Sequence, residues 1–304
     1  MEKHEKEITI MKKRILSIIT ILALTATVFI GCGSDNKTEE SQSDKTGSAT
    51  ESDSGKVVLT GLADLVPHNE LIDYVKPKLE EQGIEINIVS TASDTTWNSK
   101  VEDGEVDFNF TQHKPYMDEW NELNDGHLVS AGAVHVEPIA AYSEKYTDVS
   151  EVPDDATVVV PNDATNEYRA LSILQDAGFI KLRDDLPELK ASLDDIEEYI
   201  KPIQITEIDS IQIIGLASDF DIYIVNTNKA LEAEIDTTKY LFREEGDSPY
   251  ANIITVNEKN KDNPAIQALV KALQSDDTRK FIEENYHGAV IPAKLDETNS
   301  QKGE

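Results

Sequence analysis

Residues 161–171, with the sequence PNDATNEYRAL, contain the polar side chains best suited to hold a small anion. A short β-branched run at 156–160 precedes them and predicts a buried strand. Apolar residues at helical spacing from Ala170 follow them and predict an amphipathic helix whose N-cap is Thr165. Arg169 would then lie near the first helical turn, where the positive helix terminus disfavours a cation. A bound carboxylate that faces both the backbone N–H groups and the guanidinium would remove this conflict.

Arg169 also has a purely structural interpretation. It could be a surface residue paired with Glu167 or with another carboxylate, since carboxylates are abundant in this acidic chain. Charged side chains are mostly solvated in folded proteins. This segment alone therefore leaves both the anion site and the surface ion pair open.

The elements that must position these residues alternate along the chain. From residue 56 to residue 136 the order is β-α-β-α-β-α-β, which predicts a mostly parallel, doubly wound sheet flanked by helices. A second α/β unit follows from residue 157 onwards. Ligands of such sheets bind at the carboxyl ends of the strands. The loops expected near a ligand are therefore 62–68, 90–94, 110–113 and 161–165.

Two α/β lobes with a ligand cleft between them are the simplest assembly of these elements. Chain crossings near 136–139 and 247–252 would allow the lobes to hinge. We place the first lobe at 56–137 plus 248–304 and the second at 138–247. Asparagine side chains both donate and accept hydrogen bonds, which suits the amino and carboxylate groups of a zwitterion. The polar residues expected in the cleft are His113, Tyr116, Asn166, Arg169, Asn226 and Asn252.

The size and charge of the chain exclude several classes of partner. Its 304 residues suffice for one large or two medium domains, and 39% hydrophobic with 29% charged residues is typical of a soluble globular protein. The formal net charge of −31 argues against nucleic acid or an anionic lipid surface as a partner. We expect the protein to act as a monomer.

The N-terminal segment is typical of an exported lipoprotein. Basic residues at 12–14 precede an apolar run at 15–30, which is short for a membrane-spanning helix. The run ends at Gly31 and Cys32, the only cysteine in the chain, and this arrangement resembles a bacterial lipobox. Met11 is the more natural start of such a segment than Met1.

Four expectations follow from this segment. Residues 1–32 are a lipoprotein signal peptide, and the thiol of Cys32 carries a diacylglyceryl group after cleavage. Residues 33–55, which are rich in Ser, Thr and acidic side chains, are a disordered tether. The protein is located at the cell membrane, lipid-anchored on the extracytoplasmic face. Because no cysteine follows residue 32, the fold is held by core packing without disulfides.

The sequence lacks the usual signatures of an enzyme. Neither a Gly-x-Ser-x-Gly nor a His-Glu-x-x-His motif occurs, and no cysteine nucleophile is present in the folded part. His68, His113 and the His135-Val-Glu137 segment could be assembled into a metal site, but scattered histidines are more often ordinary hydrogen-bonding residues. We therefore predict no catalytic residue, no metal and no cofactor.

Several stretches occur in the same order as in a known family. They are Pro67-His68, DGEVD at 103–107, QHKPY at 112–116, HVEP at 135–138, PNDATN at 161–166 with Arg169, Val225-Asn226, SPYAN at 248–252 and GAVIP at 288–292. From about residue 56 to residue 292 the chain resembles the NlpA lipoprotein family of methionine-binding receptors. That resemblance implies a two-lobed periplasmic-binding-protein fold. Such a protein closes on a free amino acid and delivers it to an ABC permease with a cytoplasmic ATPase.

The resemblance also implies roles for single residues. The implied ligand contacts are Arg169 for the carboxylate, Asn166, Asn226 and Asn252 for the other polar groups, and His113 and Tyr116 for the side-chain pocket. Two further positions depart from the family. Members that bind methionine usually place a Tyr near Asp94 and a Phe at Thr111, against the thioether, whereas both residues are small and polar here. Judged from the neighbouring sequence alone, Asp94 is most simply interpreted as the N-cap of a helix.

The functional hypothesis is a lipid-anchored substrate-binding protein of an ABC importer, which takes L-methionine or a related amino acid. The two departures leave open a more polar amino acid or a small peptide as the ligand. A surface interaction protein, such as an adhesin that keeps this fold without transport, is the alternative from another class. A ligand-sized cleft favours transport, whereas a filled cleft with a large exposed apolar patch favours interaction.

Overall fold

The computed structural model describes residues 50–51, 56–187, 189–246 and 248–294. The predicted signal peptide, Cys32 and most of the predicted tether lie outside these ranges. The exception is Thr50–Glu51, strand β1, which pairs antiparallel with the strand that begins at Val57. These two residues fall within the predicted tether, and their backbone groups extend the edge of the first sheet. Within the described ranges, no helix has the length and apolar character needed to cross a membrane.

The first sheet has seven strands taken from both ends of the described chain. They are β1, β2 (Val57–Ala63), β3 (Ile84–Ser90), β4 (Phe108–His113), β5 (Leu128–Val136), β13 (Ala251–Asn257) and β14 (Ile291–Pro292). Strand β2 pairs in parallel with β3 and β4. Strand β13 lies between β4 and β5 and is antiparallel to both, and β14 is antiparallel to β5.

The second sheet has five strands in the order β10-β7-β11-β6-β12. Their bounds are β6 (Ala140–Tyr142), β7 (Thr157–Pro161), β10 (Gln204–Ile208), β11 (Ile222–Val225) and β12 (Phe242–Arg243). Strand β7 is parallel to β10 and β11, whereas β6 is antiparallel to β11 and β12. A separate hairpin pairs β8 (Ile180–Leu182) with β9 (Ile196–Tyr199).

The helices pack on the faces of these sheets. Their bounds are α1 (Glu70–Glu80), α2 (Trp97–Glu102), α3 (Lys114–Asn124), α4 (Ala164–Asp176), α5 (Ser210–Leu216), α6 (Thr227–Glu232), α7 (Pro264–Leu273) and α8 (Asp276–Tyr286). Helix α7 shows why such segments are helical. The Asn263 side chain accepts a hydrogen bond from the N–H of Ala265, and Pro264 occupies the first helical position. Its apolar stripe is buried in the core of the first sheet.

The prediction of mostly parallel sheets is wrong, because both sheets are mixed. In the first sheet the strand that follows β4 along the chain, β5, does not lie beside it. Strand β13 returns from the second sheet and takes that place in the antiparallel direction. Alternation of strands and helices predicts parallel neighbours only while the chain stays within one unit. A strand that arrives from more than 100 residues later is not visible in that pattern.

Two segments connect the sheets. Residues 137–139 lead from β5 to β6, and residues 244–250 lead from β12 back to β13. The two segments lie side by side, since the N–H of Glu244 donates to the carbonyl oxygen of Ile139 at 2.9 Å. Each sheet has its own hydrophobic core, one built on β2, β4, β13 and helices α1, α7 and α8, the other on β7, β11 and helix α4.

Candidate functional site

A cavity of about 240 Å³ is lined by side chains that follow strands of both sheets. Seven of the residues predicted for the ligand site line it: Asp94, Thr111, His113, Tyr116, Asn166, Asn226 and Asn252. The first and the last of these residues along the chain, Asp94 and Asn252, are 158 positions apart, so only the fold brings the set together. The predicted loops at 62–68, 90–94, 110–113 and 161–165 each contribute lining residues. Arg169, the eighth predicted residue, is not among those that line the cavity.

His113 ends strand β4 and is the N-cap of helix α3. Its Nδ1 accepts the N–H of Tyr116 at 3.2 Å, so the ring proton is on Nε2, which donates to Oδ1 of Asn166 at 3.0 Å. Burial, together with the positive charge of Arg169, lowers the pKa of His113 from 6.5 to about 3. The ring is therefore a neutral donor that joins the first sheet to helix α4 of the second.

Asn166 is the centre of the hydrogen bonds on the second-sheet side. Its Oδ1 accepts from His113, from Nη1 of Arg169 at 3.2 Å and from Nδ2 of Asn226 at 3.0 Å. Its Nδ2 donates to both carboxylate oxygens of Asp163, at 3.0 and 3.1 Å. The amide is therefore held in one orientation at the cavity wall, with its oxygen toward His113.

The prediction that Thr165 caps helix α4 is wrong. The helix begins at Ala164, and the N-cap is Asp163, whose Oδ1 accepts the N–H of Asn166 at 3.0 Å. Thr165 instead donates its hydroxyl to the same oxygen at 3.0 Å. A carboxylate does lie at the positive helix terminus, as electrostatics favours, but it belongs to the protein itself.

Arg169 lies behind this wall, and its side chain is 1% exposed. Its Nη2 donates to Oε2 of Glu244 at 2.6 Å and to the carbonyl oxygen of Glu137 at 2.7 Å, and its Nε donates to Oε1 of Glu244 at 3.3 Å. Its Cζ lies 4.4 Å from the ring centroid of Tyr250. The structure therefore shows the ion-pair alternative for Arg169, with two differences. The partner is Glu244 rather than Glu167, and the pair is largely buried rather than on the surface.

Asp64 organises a wall of the cavity that the sequence analysis did not identify. Asp64 is 1% exposed, and its carboxylate accepts from Ser93 Oγ at 2.5 Å, from Thr111 Oγ1 at 2.6 Å and from Asn228 Nδ2 at 2.7 Å. Lys229 Nζ lies 3.8 Å from the same carboxylate and donates to Ser93 Oγ. The loops at 62–68 and 90–94 pointed to this region, but nothing in the sequence indicated that helix α6 would meet them.

Asp94 and Tyr116 occupy the rim of the same cavity. The carboxylate of Asp94 accepts the N–H of Thr96 at 2.8 Å and Lys100 Nζ at 3.3 Å. The bond from the Thr96 N–H is the main cause that lowers the pKa of Asp94. Burial, with smaller contributions from nearby carboxylates, raises the pKa of Tyr116 to about 12. Asp94 is thus ionised and Tyr116 is a neutral phenol under ordinary conditions.

A buried histidine cluster adjoins the cavity. Oε1 of Glu137 lies 2.6 Å from His135 Nε2 and 3.3 Å from His68 Nε2, and Oε2 accepts the N–H of Asn228 at 2.9 Å. Burial lowers the pKa of both histidines and raises that of Glu137. The donor set of two imidazoles and one carboxylate is one that zinc accepts, but here the carboxylate is already satisfied by protein N–H groups. His113, which the sequence analysis considered for such a site, is bonded to Asn166 instead.

Comparison with known proteins agrees with this architecture. A methionine-binding lipoprotein MetQ of Bacillus subtilis is 32% identical over 288 residues, which cover 93% of this chain and 99% of the relative. A nutrient-binding protein of Burkholderia cenocepacia, solved with methionine bound, has a TM-score of 0.74 and 33% identity over 78% of this chain and all of the other. A periplasmic substrate-binding protein of an ABC transporter from Coxiella burnetii has a TM-score of 0.73 and 32% identity, over 77% of this chain and all of the other.

These relatives are binding proteins with the same two-lobed α/β fold, and the chain is accordingly a binding protein rather than an enzyme. The model of the NlpA lipoprotein family matches residues 62–294, which include the whole second sheet, most strands of the first and every residue at the cavity. The chain belongs to the NlpA lipoprotein family.

Proposed function

We propose that this protein is the lipid-anchored receptor of an ABC importer, which captures methionine or a related amino acid and passes it to a membrane permease. The observation that supports the proposal most is the cavity lined by polar side chains from both lobes. Relatives named for methionine binding and for ABC transport supply the ligand class and the partner. A ligand-sized cavity is also the feature that distinguishes transport from the surface-interaction alternative.

The lobe boundaries we propose are 56–137 plus 248–304 for the first lobe and 138–247 for the second. Residues on the two sides of the cavity would contact the ligand together. The proposed contacts are Asp94, Thr111, His113, Tyr116 and Asn252 from the first lobe, and Asn166 and Asn226 from the second. A ligand that binds both sets stabilises the closed arrangement, because only that arrangement offers all of the contacts.

We propose that Arg169 supports this site from behind. Its guanidinium fixes the Asn166 amide at 3.2 Å while it is paired with Glu244. A ligand carboxylate would therefore meet Asn166 and its neighbours rather than the guanidinium. This role differs from the direct carboxylate contact that the family resemblance implied. The stability of Arg169→Ala against unfolding distinguishes the two roles.

The membrane anchor is proposed on Cys32, on the extracytoplasmic face of the cell membrane. The argument is the basic, apolar and Gly31-Cys32 sequence of the N-terminal segment, in a family whose members are lipoproteins. We expect cells that express the full chain to incorporate labelled palmitate into it, and the Cys32→Ser variant to incorporate none. Equal labelling of the two proteins would place the lipid elsewhere or refute the anchor.

The amino-acid ligand is tested by mass spectrometry of small molecules released when the purified full-length protein is denatured. Isothermal titration with the common L-amino acids, L-methionine included, follows on protein freed of any ligand. We expect at least one of them to bind with a Kd in the micromolar range or below. If none binds and no amino acid or small peptide is released, the receptor proposal fails.

A further inference from the structure

We infer that the ligand is an amino acid whose side chain ends in an uncharged group that both donates and accepts hydrogen bonds, of which a carboxamide is the simplest. The inference rests on the proposed receptor function and concerns the wall of the cavity around Asp64. That wall, called the Asp64 wall here, consists of Asp64, Ser93, Thr111, Asn228 and Lys229.

The Asp64 wall is polar throughout and joins both lobes. Asp64, Ser93 and Thr111 come from loops and strand ends of the first sheet, whereas Asn228 and Lys229 come from helix α6. Asn228 Nδ2 donates to Asp64 at 2.7 Å and Lys229 Nζ donates to Ser93 Oγ. Because these bonds cross between the lobes, this wall is assembled only when the lobes are close together. It therefore faces a bound ligand in the closed state.

The charge of the wall excludes a charged side chain. The Asp64 carboxylate and the Lys229 ammonium lie 3.8 Å apart and offset each other. A carboxylate side chain would be repelled by Asp64 and by the other acidic residues at the cavity. An ammonium side chain at this wall would have to displace Lys229, which already holds the carboxylates of Asp64 and Glu232. An uncharged group avoids both the repulsion and this competition.

The hydrogen-bonding groups of the wall that have no partner among the described residues call for a ligand with one donor and one acceptor. A carboxylate has about four lone-pair sites. Those of Asp64 accept three bonds from described residues. An ammonium has three donors. Those of Lys229 reach Ser93 and, at 3.2 Å, Glu232. One acceptor site and one N–H are thus left among the described residues, which matches a carboxamide that donates to Asp64 and accepts from Lys229.

The neighbouring surface of the first lobe has the same character. Asn98 and Gln112 also line the cavity and bond each other at 3.0 and 2.5 Å. Among the described lining residues, large hydrophobic or aromatic side chains are contributed by Trp97, Tyr116 and Ile211. A thioether or alkyl chain against the Asp64 wall would leave the remaining acceptor site of Asp64 and the remaining N–H of Lys229 desolvated without a partner. Leaving buried polar groups unpaired lowers affinity by about tenfold or more.

The test is a comparison of four ligands on the purified full-length chain by isothermal titration: L-glutamine, L-methionine, L-norleucine and L-lysine. We expect L-glutamine to bind at least about tenfold more tightly than each of the other three. If L-methionine or L-norleucine binds as tightly as L-glutamine, the inference fails while the receptor function stands. Tighter binding of L-lysine also overturns the inference. If none of the four binds while another amino acid or a small peptide is released on denaturation, the inference alone fails. If nothing is released and no other common amino acid binds, the receptor function fails with it.

A pair of variants assigns the preference to the wall. Lys229→Met keeps the length of the side chain but removes the ammonium, so the ratio of the Kd values for L-norleucine and L-glutamine should fall to within about twofold of one. The matched control is Lys201→Met, since Lys201 also lies 3.9 Å from an aspartate, Asp154, but does not line the cavity. Its ratio should equal that of the unmodified protein. An unchanged ratio in Lys229→Met, with the protein folded by circular dichroism, would refute the assignment.

Discussion

At the scale of single residues, the chemistry of this site depends on charged groups that are buried or half-buried, with their partners already in place. Arg169, Asp163 and Asp64 are each bonded to protein atoms, and each lies next to or on the wall of the cavity. A charge taken out of water is tolerated only when it is paired and hydrogen-bonded. These residues therefore fix the positions of neutral amides and hydroxyls around the cavity, such as those of Asn166, Thr111 and Asn228.

We expect Arg169→Ala to lower the free energy of unfolding by about 3–5 kcal/mol, because it leaves the Glu244 carboxylate buried without its partner. The matched control is Arg183→Ala, which removes an ion pair with Asp195 at 2.8 Å in which the arginine is 48% exposed. That change should lower stability by about 1 kcal/mol or less. Urea denaturation measures both variants. Equal stability of Arg169→Ala and the unmodified protein, with a large loss of affinity, would instead support direct contact between Arg169 and the ligand.

Stability should also fall as the pH falls from about 6.5 towards 3, through the buried histidines. The pKa of His113 is about 3 in the folded protein and near 6.5 in the unfolded chain, so the unfolded chain binds the proton first. The stabilisation that His113 contributes is present above pH 6.5 and is lost towards pH 3, by at most about 1.4 kcal/mol per pH unit. The difference in melting temperature between the unmodified protein and His113→Asn should therefore shrink as the pH is lowered. A difference for His113→Asn that stays constant over this pH range would contradict the burial argument.

At the scale of secondary-structure elements, the starts of the helices position the binding groups. Helix α3 begins after His113, helix α4 after Asp163 and helix α6 after Asn226. In each case the residue that ends a strand or loop is also the residue that faces the cavity. Backbone N–H groups at a helix start need partners, and at helices α3 and α4 the side chains that satisfy them, His113 and Asp163, also line the cavity.

Removal of the cap of helix α4 should affect both stability and binding. Asp163→Ala loses the acceptor for the Asn166 N–H, which should lower stability by about 0.5–2 kcal/mol. It also frees the Asn166 amide, so the affinity for whichever amino acid binds should fall. Asn263→Ala, at the cap of helix α7 away from the cavity, should lower stability by a similar amount and leave affinity unchanged. If both variants keep full affinity in calorimetry, Asn166 is not positioned by its cap.

The sequence predicts the individual helices and strands better than it predicts which of them pack together in space. Local signals account for the cap and first turn of helix α7, because Asn263 and Pro264 act on residues within one helical turn. Seven of the eight predicted site residues line the cavity. Five of them lie near an end of a predicted strand or helix and are expected in the cleft from their chemistry, whereas Asp94 and Thr111 are added by the family resemblance. The partner of Arg169 and the bridge from Lys229 to Ser93 could not be predicted. They join residues 75 and 136 positions apart, and no local pattern encodes such a pairing.

At the scale of the whole molecule, Arg169 holds both segments that connect the two sheets. It donates to the carbonyl oxygen of Glu137 in the first segment and to the Glu244 side chain in the second, and its guanidinium lies over Tyr250 near the end of the second. Hinges are a few residues between elements that absorb changes of backbone angle. A single guanidinium bonded to both segments restricts how far they can move apart.

We therefore expect Glu244→Gln to widen the distribution of distances between the lobes. Spin labels on Leu123→Cys and Ile200→Cys, both exposed and one in each lobe, report that distance in a Cys32→Ser background by double electron–electron resonance. The neutral amide weakens the bond to Arg169, so the hinge should sample a broader range without ligand. Asp195→Asn, which weakens the Arg183 pair inside the second lobe, should leave the distribution unchanged. Identical distributions in Glu244→Gln and the unmodified protein would show that this ion pair does not restrain the hinge.

The position of strand β13 has a consequence for the order in which the chain can fold. The second sheet is built entirely from residues 140–243, so all of its strands are available once that stretch has emerged during synthesis or export. The first sheet lacks its middle strand until residues 251–257 arrive, because β4 and β5 are bridged only by β13. Although its strands begin nearer the N-terminus, the first sheet is therefore the last to be completed. During this interval the edges of β4 and β5 that face each other are unpaired and open to mispairing with other strands.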